Sequence, residues 1–145
     1  MNKQEIIEFA NNNPVCYLAT IEENKPHVRA MLMWYADETG FYFETLSPKE
    51  MSKQIHMNPQ VEVCFYNQPE DVLDAKELRV SGNIEFVEDK EVLDKAFKNR
   101  EYLEDLAGQP IRKYMEVFRI AHGDAHFWNL KTDVLKEHQL EHLVF

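Results

Sequence analysis

Glycine is scarce in this chain: its 145 residues include four, Gly40, Gly82, Gly108 and Gly123. They stand too far apart to build a G-x-G-x-x-G turn or a Walker A loop, which excludes a Rossmann unit and a P-loop. Cysteine is rarer still, and Cys16 and Cys64 both lie inside strand-like apolar runs, VCYLAT and VEVCFY. That placement predicts two buried thiols and no disulfide framework or catalytic pair. Basic residues are outnumbered, with 16 Lys and Arg against 26 Asp and Glu and a formal net charge of −10. The field of that charge repels nucleic acid and acidic membranes, and no lysine-rich patch offsets it. Nothing approaches the roughly 18 uninterrupted apolar residues of a membrane span. The opening MNKQEIIEFANNNP also lacks the apolar core of an export signal. The expectation is a cytoplasmic protein with neither a nucleic-acid nor a membrane partner.

What is present reads as a folded unit, 44% hydrophobic and 12% aromatic, of a length suited to a single domain over residues 1–145. Residues 3–11 form an amphipathic helix with Ile6, Ile7, Phe9 and Ala10 on its apolar side. Strands are expected at 15–21 and 26–36, joined as a hairpin by EENKP, and at 41–45, where Phe41, Tyr42 and Phe43 suit a pleated surface. In SPKEMSKQIHMNP, Ser47 is a preferred N-cap, Pro48 fits the first helical position and Glu50 completes a capping box. Two alternating strands, 61–66 and 78–86, follow that helix. A helix over 89–100 and a short helical turn carrying Tyr102, Leu103 and Leu106 come next, closed by Gly108-Gln109-Pro110. Two last strands, 114–120 and 125–130, flank His122-Gly123-Asp124, and the tail from Lys131 is weakly periodic. Six to seven mostly antiparallel strands with a few flanking helices predict a mainly β (α+β) barrel.

Three cations stand out against the acidic background: Arg29 on the second strand, and Lys49 and Lys53, four residues apart on one side of the helix after Ser47. A lysine in a helix's first turn meets the positive end of the macrodipole, at a cost of about 0.3–1 kcal/mol that a bound anion reverses. Free helix amides, the Thr45 and Ser47 hydroxyls and these cations are the components a phosphate needs. The residues by themselves leave two readings open, a phosphate site or ordinary solvated charges.

The order of the pieces is more specific. The run KPHVRAMLMWYADETGFYFETLSPKEMSKQIHMNPQVEVCFY, followed by LRVSGNIEFVED, holds four in succession. They are a P-x-V-R strand, an aromatic strand ending in Thr, a lysine-bearing helix ending in NP, and R-V-S-G. In this order they resemble the pyridoxamine 5'-phosphate oxidase-like family of FMN-binding split barrels, particularly its short general-stress-type members. The resemblance implies FMN as cofactor, with Arg29 on its phosphate and the backbone of Ala30, Met31 and Leu32 along the isoalloxazine edge. It puts Thr45 and Ser47 near the ribityl phosphate, Lys49 on the phosphate with Lys53 nearby, and Trp128 against the ring. It also implies a homodimer with flavin at the subunit interface. The activity implied is that of an oxidoreductase passing hydride or electrons through FMN to a small-molecule substrate, possible donors including a reduced nicotinamide. No side chain is singled out as catalytic.

Family enzymes that oxidise pyridoxamine phosphate carry an arginine- and histidine-bearing segment after the last tryptophan. Here the tail is KTDVLKEHQLEHLVF, without arginine, so that reaction is not expected. Two alternatives stand beside the oxidoreductase: a non-catalytic flavin carrier or redox sensor, and a split barrel binding haem or deazaflavin. His122 and His126 do not form a metal motif, because residues four apart on a continuous strand stand about 13 Å apart. Only a tight turn at Gly123-Asp124 would bring them together, and no metal site is expected.

Overall fold

Strand β1 (Val15–Glu22) shows how the sheet acquires two faces: Cys16, Leu18 and Thr20 are fully buried, while Val15, Tyr17 and Ile21 point outward. Its partner β2 (Lys25–Leu32) pairs along its whole length, Val15 opposite Leu32 through Glu22 opposite Lys25. The two turn residues between them, Glu23 and Asn24, both take positive φ, as a tight hairpin requires. In this computed structural model, which describes all residues from Met1 to Phe145, the remaining strands extend the sheet. They are β3 (Tyr35–Asp37), β4 (Gly40–Leu46), β5 (Gln60–Tyr66), β6 (Lys76–Phe86), β7 (Met115–Asn129) and β8 (Leu143–Val144). The order is β2-β1-β5-β6-β7-β4-β3, with β8 on β7, and every pairing is antiparallel.

Eight strands exceed the six to seven expected, for two reasons. The expected strand over 26–36 is broken at Met33-Trp34, where the chain changes partner. The Met33 amide donates to Pro14 O at 2.8 Å and the Trp34 amide to Tyr42 O at 2.9 Å, so β2 stays with β1 while β3 joins β4. The tail from Lys131 supplies the other addition, β8, after helix α5 (Leu130–Asp133). In the opposite sense, the two expected last strands are one continuous strand, β7. Gly123 does not end it, because Gly123 lies opposite Gly82 in the β6–β7 ladder, beside a shift of register between Gly82 and Ile84. A Cβ on Gly82 would come within 2.5 Å of His122 O, and one on Gly123 would collide with Ser81 O.

Inside the barrel, Phe41, Phe43, Phe65, Phe118, Leu18 and Leu78 are almost wholly buried. Helix α1 (Lys3–Asn12) adds Ile6, Ile7 and Ala10 to that core. Its first turn is closed by a reciprocal cap: Asn2 Oδ1 accepts from the Glu5 amide, and Glu5 Oε2 from the Asn2 amide. A second, smaller core lies on the outer face of β4 and β7, where Ala96 of helix α3 (Lys90–Arg100) meets Tyr42 and Val117. Asp89 caps α3 through the Val92 amide. Helix α4 (Leu103–Ala107) follows and ends on left-handed Gly108.

Helix α2 (Glu50–Met57) departs from expectation at its start. Lys49 is the N-cap, no side chain caps it, and Ser47 and Pro48 lie in a preceding turn. The Ser47 amide is committed instead to Tyr114 O at 2.8 Å. This prolongs the β4–β7 pairing past Leu46 and holds the chain out of the helix for three more residues. Cys16 is buried as expected while Cys64 is only half-buried, neither forms a disulfide, and burial, joined at Cys64 by Glu77, pushes the pKa of each thiol up to about 12, so both are protonated at neutral pH. No helix is long and apolar enough to cross a membrane. Replacing Gly123 with Ala is expected to lower stability by about 2–3 kcal/mol, since neighbouring backbone would have to move. Urea denaturation of the variant against wild type measures this.

Candidate functional site

Along β2 the side chains alternate, with Val28, Ala30 and Leu32 exposed and His27, Arg29 and Met31 half-buried. The inward set borders a groove between β2 and the start of α2. One part of it, about 440 Å³, is lined by His27 to Met31 of β2 and by Lys49, Glu50 and Met51. A neighbouring hollow of about 180 Å³ shares Ala30, Met31 and Lys49 and continues to Leu32, Glu44, Thr45, Arg100 and Tyr102. The larger part alone falls within the roughly 300–1,000 Å³ of small-molecule sites.

Arg29 enters this groove held by uncharged groups. Its guanidinium donates from Nη1 to Thr20 Oγ1 at 2.9 Å and Leu18 O at 3.3 Å, and from Nη2 to Gln54 Oε1 at 2.7 Å. No carboxylate is among its bonded partners. Burial draws its pKa below the usual value, with Glu50 acting in the opposite direction. Thr20 and Gln54 are themselves fully buried, and Thr20 Oγ1 donates to Gln54 Oε1 at 2.6 Å. The α2 side of the groove therefore reaches back to β1 and fixes the guanidinium. Lys49 is exposed and free of ion pairs, and so is Lys53, since the lysine ion pairs are those of Lys3, Lys95 and Lys131.

Six of the nine residues marked out from sequence thus line the same groove: Arg29, Ala30, Met31, Leu32, Thr45 and Lys49. Three do not line it within one chain. Ser47 sits in the exposed turn before α2, and Lys53 projects from the exposed side of that helix. Trp128 stands opposite Glu77 at the far end of β7 from the groove residue Met115. Thr45 is buried, and its Oγ1 has no hydrogen-bond partner.

Sequence reading missed an acid–base pair on the rim. The Glu44 carboxylate is 3% exposed, and Arg100 Nε lies 3.3 Å from its Oε1. Asn99 Nδ2 donates to the same oxygen at 2.9 Å, while Oε2 is buried without a partner. Burial raises the Glu44 pKa, and Asn99 and Arg100 hold it back. Arg100 also donates to Leu32 O and Tyr102 Oη, tying the end of α3 to β2 across the hollow. A charged residue inside the apolar run FYFETL was the available signal for Glu44. For Thr20 and Gln54 there was none.

The strand order and the groove between β2 and α2 make this a split β-barrel. A family model described as pyridoxamine 5'-phosphate oxidase matches residues 3–129, and the chain belongs to that family. Among curated proteins no match is found. Among solved structures, a NimC/NimA family protein from Clostridium acetobutylicum is similar at TM-score 0.75 and 22% identity, over 98% of this chain and 91% of that one. General Stress Protein 26 from Bacillus anthracis is similar at TM-score 0.69 and 19% identity, over 100% of both chains. A FAD-binding protein from Mesorhizobium loti follows at TM-score 0.66 and 21% identity, over 83% of this chain and 89% of that one.

Because Gln54 Oε1 accepts from both Arg29 and Thr20, the change Gln54→Leu strands one buried donor and one half-buried donor. It is expected to cost about 1–3 kcal/mol of stability, measured by urea denaturation with Thr20→Val/Gln54→Leu as the partly compensated control.

Proposed function

We propose that the groove binds FMN and that the protein is an FMN-dependent oxidoreductase acting on a small molecule. The observation that carries this reading is Arg29, a half-buried cation in a groove, bonded only to neutral acceptors and therefore available to an anion. The unpaired Lys49 ammonium and the orphaned Thr45 hydroxyl line the same groove, and they fit the phosphate and hydroxyls of a ribityl phosphate. Membership of the family agrees with a flavin.

In this reading Arg29 and Lys49 hold the phosphate by charge-assisted hydrogen bonds, and Thr45 donates its hydroxyl to a cofactor oxygen. Ala30, Met31 and Leu32 supply backbone and apolar surface beside the ring. Bound there, FMN supplies hydride acceptance at N5 and return of the electrons to a second substrate. Ser47 and Lys53, on the turn and helix beside Lys49, are placed to enlarge the positive field at the phosphate end.

The proposal extends to a homodimer. The outward face of β1 and β2 exposes Val15, Tyr17, Ile21, Val28 and Leu32 together, an apolar surface suited to a second copy. Because Trp128 lies away from the groove within one chain, a role for it beside the flavin ring would require the second copy. A cytosolic setting belongs to the same proposal and accords with two free cysteines. A flavin carrier or sensor differs from the enzyme in one measurement, reduction of the bound flavin by a nicotinamide. Haem or deazaflavin would declare itself in the absorption spectrum.

Reconstituted protein is expected to bind FMN near 1:1. Loss of a charge-assisted hydrogen bond to an anion is worth about 1.5–3 kcal/mol, so Arg29→Ala should weaken FMN binding roughly ten- to more than a hundredfold. Riboflavin, which lacks the phosphate, should change much less. Calorimetry showing equal FMN affinity in mutant and wild type would remove Arg29 from the site. Separately, the FMN-loaded protein is expected not to convert pyridoxamine phosphate to pyridoxal phosphate at a useful rate, for want of arginine in the tail. Sustained pyridoxal phosphate formation, followed by its absorbance, would reverse that conclusion.

A further inference from the structure

The tail returns to the barrel as β8, pairing Val144 with Asp124 and Leu143 with Ala125. Continuing this register sets His142 beside His126, and the two rings stack at 4.4 Å between centroids. Asp124, two residues before His126 on β7, shares its face by strand alternation. His142 Nδ1 lies 2.6 Å from Asp124 Oδ1, and His126 Nδ1 lies 4.0 Å from the same oxygen. One donor atom from each of the three residues falls within 4.8 Å of the others. None of the three lines the groove between β2 and α2.

We propose that Asp124, His126 and His142 bind one divalent late first-row cation of the zinc class, fastening the tail to the barrel. Two imidazoles and a carboxylate are the donor set such ions take, with bonds of about 2.0–2.2 Å. Donor atoms of a tetrahedral site lie roughly 3–4 Å apart, so a small adjustment that opens the His142–Asp124 contact and keeps His126 in reach would seat the ion, with water as the fourth ligand. The exposed His142 supplies that movement, since its side chain is 47% accessible against 14% for His126. His126 contributes a further reason: its Nδ1 is buried without any partner, a position a bound cation would satisfy. Arg79 faces His126 from β6, yet its guanidinium is taken by Glu77 and Glu137, and Glu62 adds a further negative charge nearby.

The test uses untagged full-length protein, stripped of metal with chelator, and titrates zinc against a chromogenic competitor. One zinc per chain is expected, with affinity falling at least about tenfold in His142→Ala and in His126→Ala and unchanged in His138→Ala. Cobalt should give visible ligand-field bands beyond the flavin absorption that vanish in both ligand variants. Zinc should slow proteolytic removal of the tail in wild type and not in His142→Ala, with circular dichroism showing each variant folded. Absence of stoichiometric zinc binding, or equal zinc affinity in His142→Ala and wild type, overturns the proposal. Neither outcome bears on the groove, because flavin binding is read separately.

Discussion

The ladder between β6 and β7 is the constraint on which the rest of the molecule depends. β7 runs unbroken from Met115 to Asn129, roughly 50 Å if straight at about 3.3 Å per residue, longer than a domain of this size can hold flat. Where Gly82 faces Gly123 the two backbones approach closely, and the register against β6 shifts between Gly82 and Ile84. Two side chains' worth of space is given up there so that the backbones can cross closely. On its other edge the same strand serves two partners, β4 through residues 115–120 and β8 through Asp124 and Ala125. The groove and the histidine cluster are thus set at different ends of one strand.

Charge is distributed with equal economy. Arg79, Arg100, Arg112 and Arg119 each face a carboxylate, as the acidic composition favours. Arg29 does not, because its guanidinium is drawn inward to the neutral side chains of Thr20 and Gln54. Local arrangement and net charge therefore separate: a chain of net charge −10 still presents unpaired positive charge in one groove. Anion binding depends on those few groups at short range, while the far field governs large partners.

Much of this was legible where physics is local. The hairpin at Glu23-Asn24, the alternation in β1, β5 and β6, the Asp89 cap and the burial of Cys16 follow from neighbours along the chain. The groove was legible in part, because a β2 segment and a helix start lie together in the ordered pattern that carries the family resemblance. The capping box at Ser47 was not realised, since the Ser47 amide pairs with Tyr114, far away in sequence. Likewise a single strand from 26 to 36 was impossible once Met33 and Trp34 had different partners.

The sequence by itself determined the alternation of faces, the scarcity of free cations, the absence of a nucleotide loop and the positions of Arg29, Lys49 and Thr45 along the chain. Tertiary structure alone decided what those residues touch. Gln54 beneath Arg29, Arg100 against Glu44 and His142 against His126 are all joined by strand pairing or helix packing across long stretches of chain. Local propensity extends over a few residues, whereas a hydrogen bond or stacked ring needs positions within a few ångströms, and only the folded sheet and its packed helices bring distant segments that near.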